Sequence, residues 1–237
     1  VGGNFNEANI NNCIPRPIKL RKHAIKLQNL LYKNKNVINF YTLSESNATL
    51  LKKHYGNNVK VKALYFNSLD FQYRSNLSNN SSTQNYDIVF HASNIPEKGF
   101  EYVLNLAETL RDFTFFIPIK VLPKKYRLCS NIFYKDIRWE SGLKEIVTTA
   151  KLVLTPSLWS YTPEAASLKS MLFNGNIGMV DNQFGFSNEI PSEAYLSLSG
   201  NISEDAKKIS EYFFHQYPKT KKEKNCKFYI DSYIKRA

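Results

Sequence analysis

Short apolar runs alternate along this chain with amphipathic stretches of helical length. The runs predict strands at Val37–Leu43, Val59–Phe66, Asp87–Ala92, Thr114–Pro118, Ile132–Tyr134, Leu152–Thr155, Ile177–Val180 and Tyr195–Leu198. Most are continuous in Val, Ile, Leu and Phe, the pattern of strands buried on both faces. Between them, apolar residues at three- and four-residue spacing predict helices at Ser46–Tyr55, Phe100–Leu110, Gly142–Ala150, Pro163–Phe173 and Ser203–Tyr212. Strand and helix in alternation define an α/β class: a Rossmann-like parallel sheet with helices on both faces, preceded by a short amino-terminal α/β segment.

The helix ends carry their own signals. Ser44 or Ser46 suits the cap of the first helix, and Pro163 suits the first helical position of the fourth with Thr162 as its N-cap. Ser203, with Glu204 and Asp205 behind it, is placed to open the fifth, and Gly175 to end the fourth. Ser75 to Gln84 is the one low-complexity polar stretch and reads as a linker. The expected organisation is therefore a partial amino-terminal segment over 1–74, a linker over 75–84, a nucleotide-binding type of sheet over 85–216 and a basic, helical tail over 217–237.

Charge narrows the partners. The 32 Lys and Arg residues outnumber the 20 Asp and Glu, giving +12 at neutral pH, which favours an anionic partner. No ribonucleoprotein aromatic motif, helix-turn-helix signature or zinc finger is present, so nucleic acid is not the expected partner. The basic stretch Arg16 to Lys35 carries Ile18, Leu20, Ile25, Leu27, Leu30 and Leu31 at helical spacing, compatible with a membrane surface or a partner protein. No apolar run approaches the ~20 residues that cross a bilayer. Cys13, Cys129 and Cys226 are odd in number and widely spaced, which indicates neither a disulfide framework nor a zinc site, and points to a cytoplasmic protein, at most peripheral to a membrane. The opening Val1-Gly2-Gly3 lacks the features of a signal peptide and reads like part of a longer polypeptide.

In a parallel sheet, chemistry collects in the loops beyond the carboxyl ends of the strands. Three such loops stand out. His91 to Phe100 places Lys98 and Gly99 at the start of a helix, where a cation and free helix amides together favour phosphate. Pro156 to Glu164 leads into the next helix, whose first amides, near Thr162 to Ala165, can hold an anion while Glu164 accepts bonds from hydroxyls. Tyr134 to Glu140, with Arg138 and Trp139, is aromatic and charged and suited to bracketing a planar base.

The order of these pieces resembles the carboxyl-terminal, nucleotide-sugar-binding domain of GT-B-fold glycosyltransferases, especially the family-4-like group. The likeness runs from Val37 to Tyr212. It includes the strand and Lys-Gly loop from Ile88 to Phe100, the Pro156-Ser157 loop, and the helix ending at Gly175 before Ile177 to Val180. The departures are specific. Ala92-Ser93 stand where the family has Gly-Arg, and Thr162 and Ser170 stand where it has paired glutamates.

The resemblance implies transfer of a sugar from a nucleotide-diphosphate-sugar to a glycan, lipid-linked or other hydroxyl acceptor, within one module of a larger glycan-building protein and beside a neighbouring transferase module. From the family's pattern only Lys98 carries over, as a diphosphate contact; Glu164, the carboxylate at the helix start, is expected beside it as the second catalytic group from proximity, and Ser93, Lys98, Tyr134, Arg138, Ser160, Tyr161, Thr162 and Glu164 are the expected donor contacts. No cofactor is expected beyond the donor, and no Asp-x-Asp metal motif is present. His91 is a candidate base or a neutral core residue, and Lys169 reaches the same mouth only if its helix turns it inward. The alternative is a nucleotide- or sugar-binding module that has lost its catalytic residues.

Overall fold

A computed structural model describes residues 18–42, 45–61, 85–158, 164–182 and 185–215. The front segment holds α1 (Ile18–Lys33), β1 (Phe40–Thr42), α2 (Glu45–Tyr55) and β2 (Val59–Val61). β1 and β2 pair in parallel, Phe40 opposite Val59, so α2 is their crossover. Ala48 on α2 and Val59 on β2 are buried, and the Phe40 ring stacks on Tyr55 at 4.6 Å. Because α2 begins at Glu45, Ser46 lies inside the helix and does not cap it.

The larger unit is a six-stranded, wholly parallel sheet in the order β5-β4-β3-β6-β7-β8. Its strands are β3 (Ile88–Phe90), β4 (Phe115–Ile117), β5 (Ile132–Tyr134), β6 (Leu152–Leu154), β7 (Ile177–Val180) and β8 (Leu196–Leu198). Four helices cover it: α3 (Phe100–Thr109), α4 (Leu143–Thr149), α5 (Ala165–Phe173) and α6 (Ile202–Phe214).

The continuous apolar runs are explained by two separate cores. Ile88, Phe90, Phe115, Ile117, Leu152 and Leu154 face α3 and α6, whereas Val89, Phe116 and Val153 face α4 and α5. Successive strand residues point to opposite faces, so a strand between two helical layers has no polar face to show. Each fully buried Leu, Ile or Phe contributes about 1.5–3 kcal/mol.

Two asparagines seal helix ends that would otherwise bury bare carbonyls. Asn131 Nδ2 donates to the carbonyls of Ala107 and Leu110 behind α3, and Asn174 Nδ2 donates to those of Val147 and Ala150 behind α4. Gly175 follows α5 with φ 84°, as a terminating glycine should, and its amide closes on the Ser170 carbonyl.

Two predicted helix starts are corrected. The fifth predicted helix, α6, begins at Ile202, and Asn201 is its cap, its side-chain oxygen accepting from the Ser203 and Glu204 amides. The fourth, α5, begins at Ala165 with Glu164 at the N-cap, so Pro163 is not its first helical residue and Thr162 is not its cap. The proposed linker, the tail over 217–237 and the later part of the strand predicted to Phe66 lie outside the described residues.

Candidate functional site

The strand order reverses direction between β3 and β6. From β3 the chain winds outward through β4 and β5, then returns to β6 and winds the other way through β7 and β8. The two loops leaving the carboxyl ends of β3 and β6 diverge there, opening the crevice in which such sheets bind ligands.

These two loops are laced together. The His91 amide donates to the Leu154 carbonyl at 2.9 Å, extending the β3–β6 ladder, and the Leu158 amide donates to the Glu97 carbonyl at 2.9 Å. After β3 the chain makes a tight turn over Pro96–Lys98, closed by the Gly99 amide on the Pro96 carbonyl. Gly99 itself sits at φ 77°, and a methyl group there would come within 2.3 Å of the Pro156 carbonyl oxygen. The glycine after Lys98 is thus required twice, by its left-handed backbone and by the approach of the second loop.

Held this way, Lys98 Nζ forms an ion pair with Glu164 Oε1, with side chains only 15% and 11% exposed. Glu164 occupies the N-cap of α5 but gives its carboxylate to Lys98 rather than to the helix amides. Beside Glu164, a small pocket is lined by the hydroxyls of Thr155, Ser157, Ser167 and Ser187 together with the apolar Met179, Val180 and Phe186, and in it Ser167 Oγ donates to Thr155 Oγ1 at 2.9 Å. Its room, about 10 Å³, is that of one water.

On the other side of β3, the loop after β5 turns inward. The Trp139 ring stacks on His91 at 5.0 Å with an 8° interplanar angle, and meets the Phe173 ring edge-on at 5.4 Å. His91 Nδ1 lies 2.8 Å from Ser170 Oγ. Lys169 is turned inward as well, its Nζ 5.0 Å from the centre of the Trp139 ring. Burial, reinforced by the nearby Lys169 charge, lowers the His91 pKa to about 3, so the imidazole is neutral at physiological pH. That is the core-histidine alternative, and a neutral ring bonded to Ser170 orients α5.

Of the predicted site residues, Lys98 and Glu164 are brought into direct contact. Ser93 and Arg138 are exposed on loops and Tyr134 is exposed at the end of β5, all beyond or at the carboxyl ends of the strands, the Arg138 amide donating to Ser141 Oγ at 2.9 Å. Ser160, Tyr161 and Thr162 lie outside the described residues, as does Trp159. Sequence reasoning missed the His91–Ser170 bond and the inward turn of Trp139. The available signal was the pair Ser167 and Ser170, three apart on one helix face and both fully buried. Among the described residues, no cluster of three His, Cys, Asp or Glu side chains is arranged to hold a metal ion.

A six-stranded parallel sheet with this order, helices on both faces and a cation at its switch point has the architecture of a GT-B carboxyl-terminal domain. Solved structures share that fold. A glycosyltransferase from Rickettsia africae superposes with a TM-score of 0.64 at 14% identity, over 94% of this chain and 65% of its own. HepE from Anabaena, solved with UDP and glucose, superposes with a TM-score of 0.63 at 15% identity, over 91% of this chain and 64% of its own. TarM from S. aureus, solved with UDP, fondaparinux and α-GlcNAc-glycerol, gives 0.56 at 17% identity, over 89% of this chain and 43% of its own. The chain thus spans between about two fifths and two thirds of the length of these proteins. Neither a protein-family model nor a curated protein matches the sequence.

Proposed function

We propose that this protein is a glycosyltransferase module that carries a sugar from a nucleotide-diphosphate-sugar donor to a hydroxyl acceptor. The observation that carries this reading is the Lys98–Glu164 pair, which bridges the β3 and β6 loops at the switch point of a GT-B sheet. In the reaction, the sugar–phosphate bond breaks, the acceptor oxygen bonds to the anomeric carbon as its hydroxyl proton is released, and the nucleoside diphosphate leaves with the electron pair. Lys98 meets the negative charge that develops on the diphosphate, an interaction stronger in the transition state than in the ground state. Glu164 orients Lys98 and accepts hydrogen bonds from donor hydroxyls. Ser93, Tyr134 and Arg138, with the Ser160 to Thr162 stretch, complete the donor contacts, and no metal is assigned a role in this reading. UDP is the first nucleotide to test, since HepE and TarM were solved with it.

The acceptor side is read from α1. Its sequence carries five Lys and Arg residues and no acidic residue, while Ile25, Leu30 and Tyr32 are each more than half exposed. Exposed apolar groups among cations favour an acceptor presented at an anionic membrane surface. Among the described residues, no helix is long and apolar enough to cross a membrane.

Thermal unfolding against a panel of nucleoside diphosphates and nucleotide sugars, at low and moderate salt, tests the donor site. A rise in Tm with one base, kept at moderate salt and lost in Lys98→Ala, is the expected result. No shift with any nucleotide overturns the reading. Release of nucleoside diphosphate on adding acceptor then separates a transferase from a binding module without turnover.

A further inference from the structure

The connection from β4 to β5 carries an exposed surface that the candidate site does not use. From Phe113 to Lys135 the chain holds Lys120, Lys124, Lys125, Arg127 and Lys135 and no Asp or Glu. Within that basic stretch Val121 is 56% exposed and Leu128 is 96% exposed, the most exposed large apolar side chain among the described residues. One exposed leucine is ordinary on a protein surface. Two exposed aliphatic residues eight positions or fewer from four cations, in a segment without an acid, form a surface of defined chemistry.

The loop that presents them is braced from within. Leu122 and Tyr126 are buried in the core beside α3, and the Tyr126 hydroxyl donates to Asn105 Oδ1 on that helix at 2.7 Å. A tight turn over Lys124–Tyr126 stands between Leu122 and Arg127. Arg127 Nε donates to the Leu122 carbonyl at 3.0 Å, which closes the loop and brings the chain next to Leu128 back to the chain next to Val121. Lys125 is engaged by Glu108 and by the Tyr126 ring, so Lys120, Lys124 and Arg127, all exposed, set the sign of the surface.

We propose that the Lys120–Leu128 loop docks the protein on an anionic lipid bilayer, with Lys120, Lys124 and Arg127 meeting the lipid headgroups while Val121 and Leu128 enter the boundary between headgroups and acyl chains. An acidic protein surface would answer the charges but not the two aliphatic side chains, which a bilayer takes without a matching pocket. The inference depends neither on the donor-site reading nor on α1. Its place in the fold gives it a consequence for the site. The Pro118 carbonyl, where the loop leaves β4, accepts from Asn94 Nδ2 of the β3 loop at 2.8 Å, so a docked loop holds the carboxyl edge of the sheet toward the lipid surface.

The test is co-sedimentation of the intact chain with phosphatidylcholine vesicles, with and without phosphatidylserine, at moderate salt. The variants are Leu128→Ser, Leu128→Trp, the pair Lys120→Gln with Lys124→Gln, and Lys207→Gln on α6, an exposed residue that serves as the control. Each is also made in an Ile25→Ser, Leu30→Ser background, so that α1 does not mask the loop. Binding is expected only with phosphatidylserine, and removing the two lysine charges should weaken it about tenfold or more. Leu128→Ser should weaken it about threefold, and Leu128→Trp should strengthen it by a similar factor, because indole favours the interface. Opposite changes at one position exclude misfolding as the cause.

Unchanged binding in either the Leu128 or the lysine variants overturns the assignment. Equal loss in Leu128→Ser and Leu128→Trp also overturns it, because the fit of one side chain and not insertion would then decide binding. Capture of soluble poly-glutamate with the same dependence on Leu128 overturns it in favour of an acidic protein partner. Failure of the unaltered chain to bind phosphatidylserine vesicles overturns it outright and leaves the donor-site reading, which is tested with nucleotides, untouched.

Discussion

Two buried polar clusters lie on opposite faces of the same sheet, and they are built for different purposes. On the α3–α6 face, Asp205 is 1% exposed and accepts from the Tyr102 hydroxyl at 2.7 Å and from the Ser199 and Gly200 amides at 2.7 and 2.8 Å. Burial, then the bond and charge of Asp205, raise the Tyr102 phenol far above its ordinary range, so it stays a donor. On the α4–α5 face, His91 is bonded to one serine and stacked on one tryptophan, and a lysine stands over that tryptophan. The first cluster spends its polar capacity on backbone groups and locks α6 to α3. The second is made of side chains from three elements, with the Lys169 ammonium over the Trp139 ring. The first is saturated largely by backbone groups, whereas the second joins side chains of β3's end, the β5 loop and α5 beside the switch point.

The largest effect should come from breaking the structural knot. Asp205→Ala leaves a buried phenol and two amides without partners and should cost about 3 kcal/mol or more in urea unfolding, since each orphaned group costs about 1–3. At a temperature where the variant is still folded, nucleotide affinity should match that of the unaltered protein. A parallel loss of affinity would erase the distinction between the two clusters.

Gly99→Ala is next. Its left-handed backbone and the crowding against Pro156 should together cost about 2–3 kcal/mol. Here stability and nucleotide binding should fall together, because the same close approach holds Lys98 in place. Retained affinity would show that the two loops need not touch for the site to form.

Lys98→Ala should weaken nucleoside diphosphate binding by at least about tenfold, the ~1.5–3 kcal/mol of a charged hydrogen bond. It also strands Glu164, so the double variant Lys98→Met with Glu164→Gln should recover stability without recovering affinity. Recovery of both would assign the pair to structure alone, like Asp205.

The last effect is read in pH dependence, and over the window from pH 7 to 5 it comes to about 2 kcal/mol. The folded His91 pKa, about 3, lies below its ordinary 6.5, so between these values the unfolded chain binds the extra proton. Stability from this group is full above pH 6.5 and is lost as pH falls, by about 1.4 kcal/mol per pH unit until the folded value is reached. Asp87 loses its share only at lower pH. Burial opposes its charge, but Lys151 and Thr114 still hold its carboxyl below the usual range. Unfolding curves between pH 7 and 5 therefore isolate the histidine, and His91→Gln should flatten them. An unchanged slope would mean that the imidazole is not kept neutral by the fold.

Most of the fold was legible in the chain. Ile132–Tyr134 and Ile177–Val180 were predicted with their observed bounds, and Phe100–Thr109 ended one residue earlier than predicted. Continuous apolar runs allow no reading except burial on both faces. Helix starts were less legible, because Ser203 and Asn201 are both good caps and Asp205 is a good first-turn acid in solvent. Tyr102 on α3, 103 residues away, joins the Ser199 and Gly200 amides in holding that carboxylate inward.

Of the site, the Lys98-Gly99 turn and the Glu164 helix start were visible as separate signals, but their contact across 66 residues was not. The same holds for Lys169. Its neighbours in sequence, Leu168 and Ser170, do not tell which way a helix faces.

The sequence by itself determined the class of fold, the order of its strands and helices, and the loops in which chemistry sits. These follow from local periodicity and from turn residues such as Gly99 and Gly175. The tertiary structure decided which loops meet, which polar groups are spent on structure, and which side chains Lys98 and Lys169 lie against. Those outcomes depend on strand order and helix rotation, which are set by packing between residues far apart in the chain.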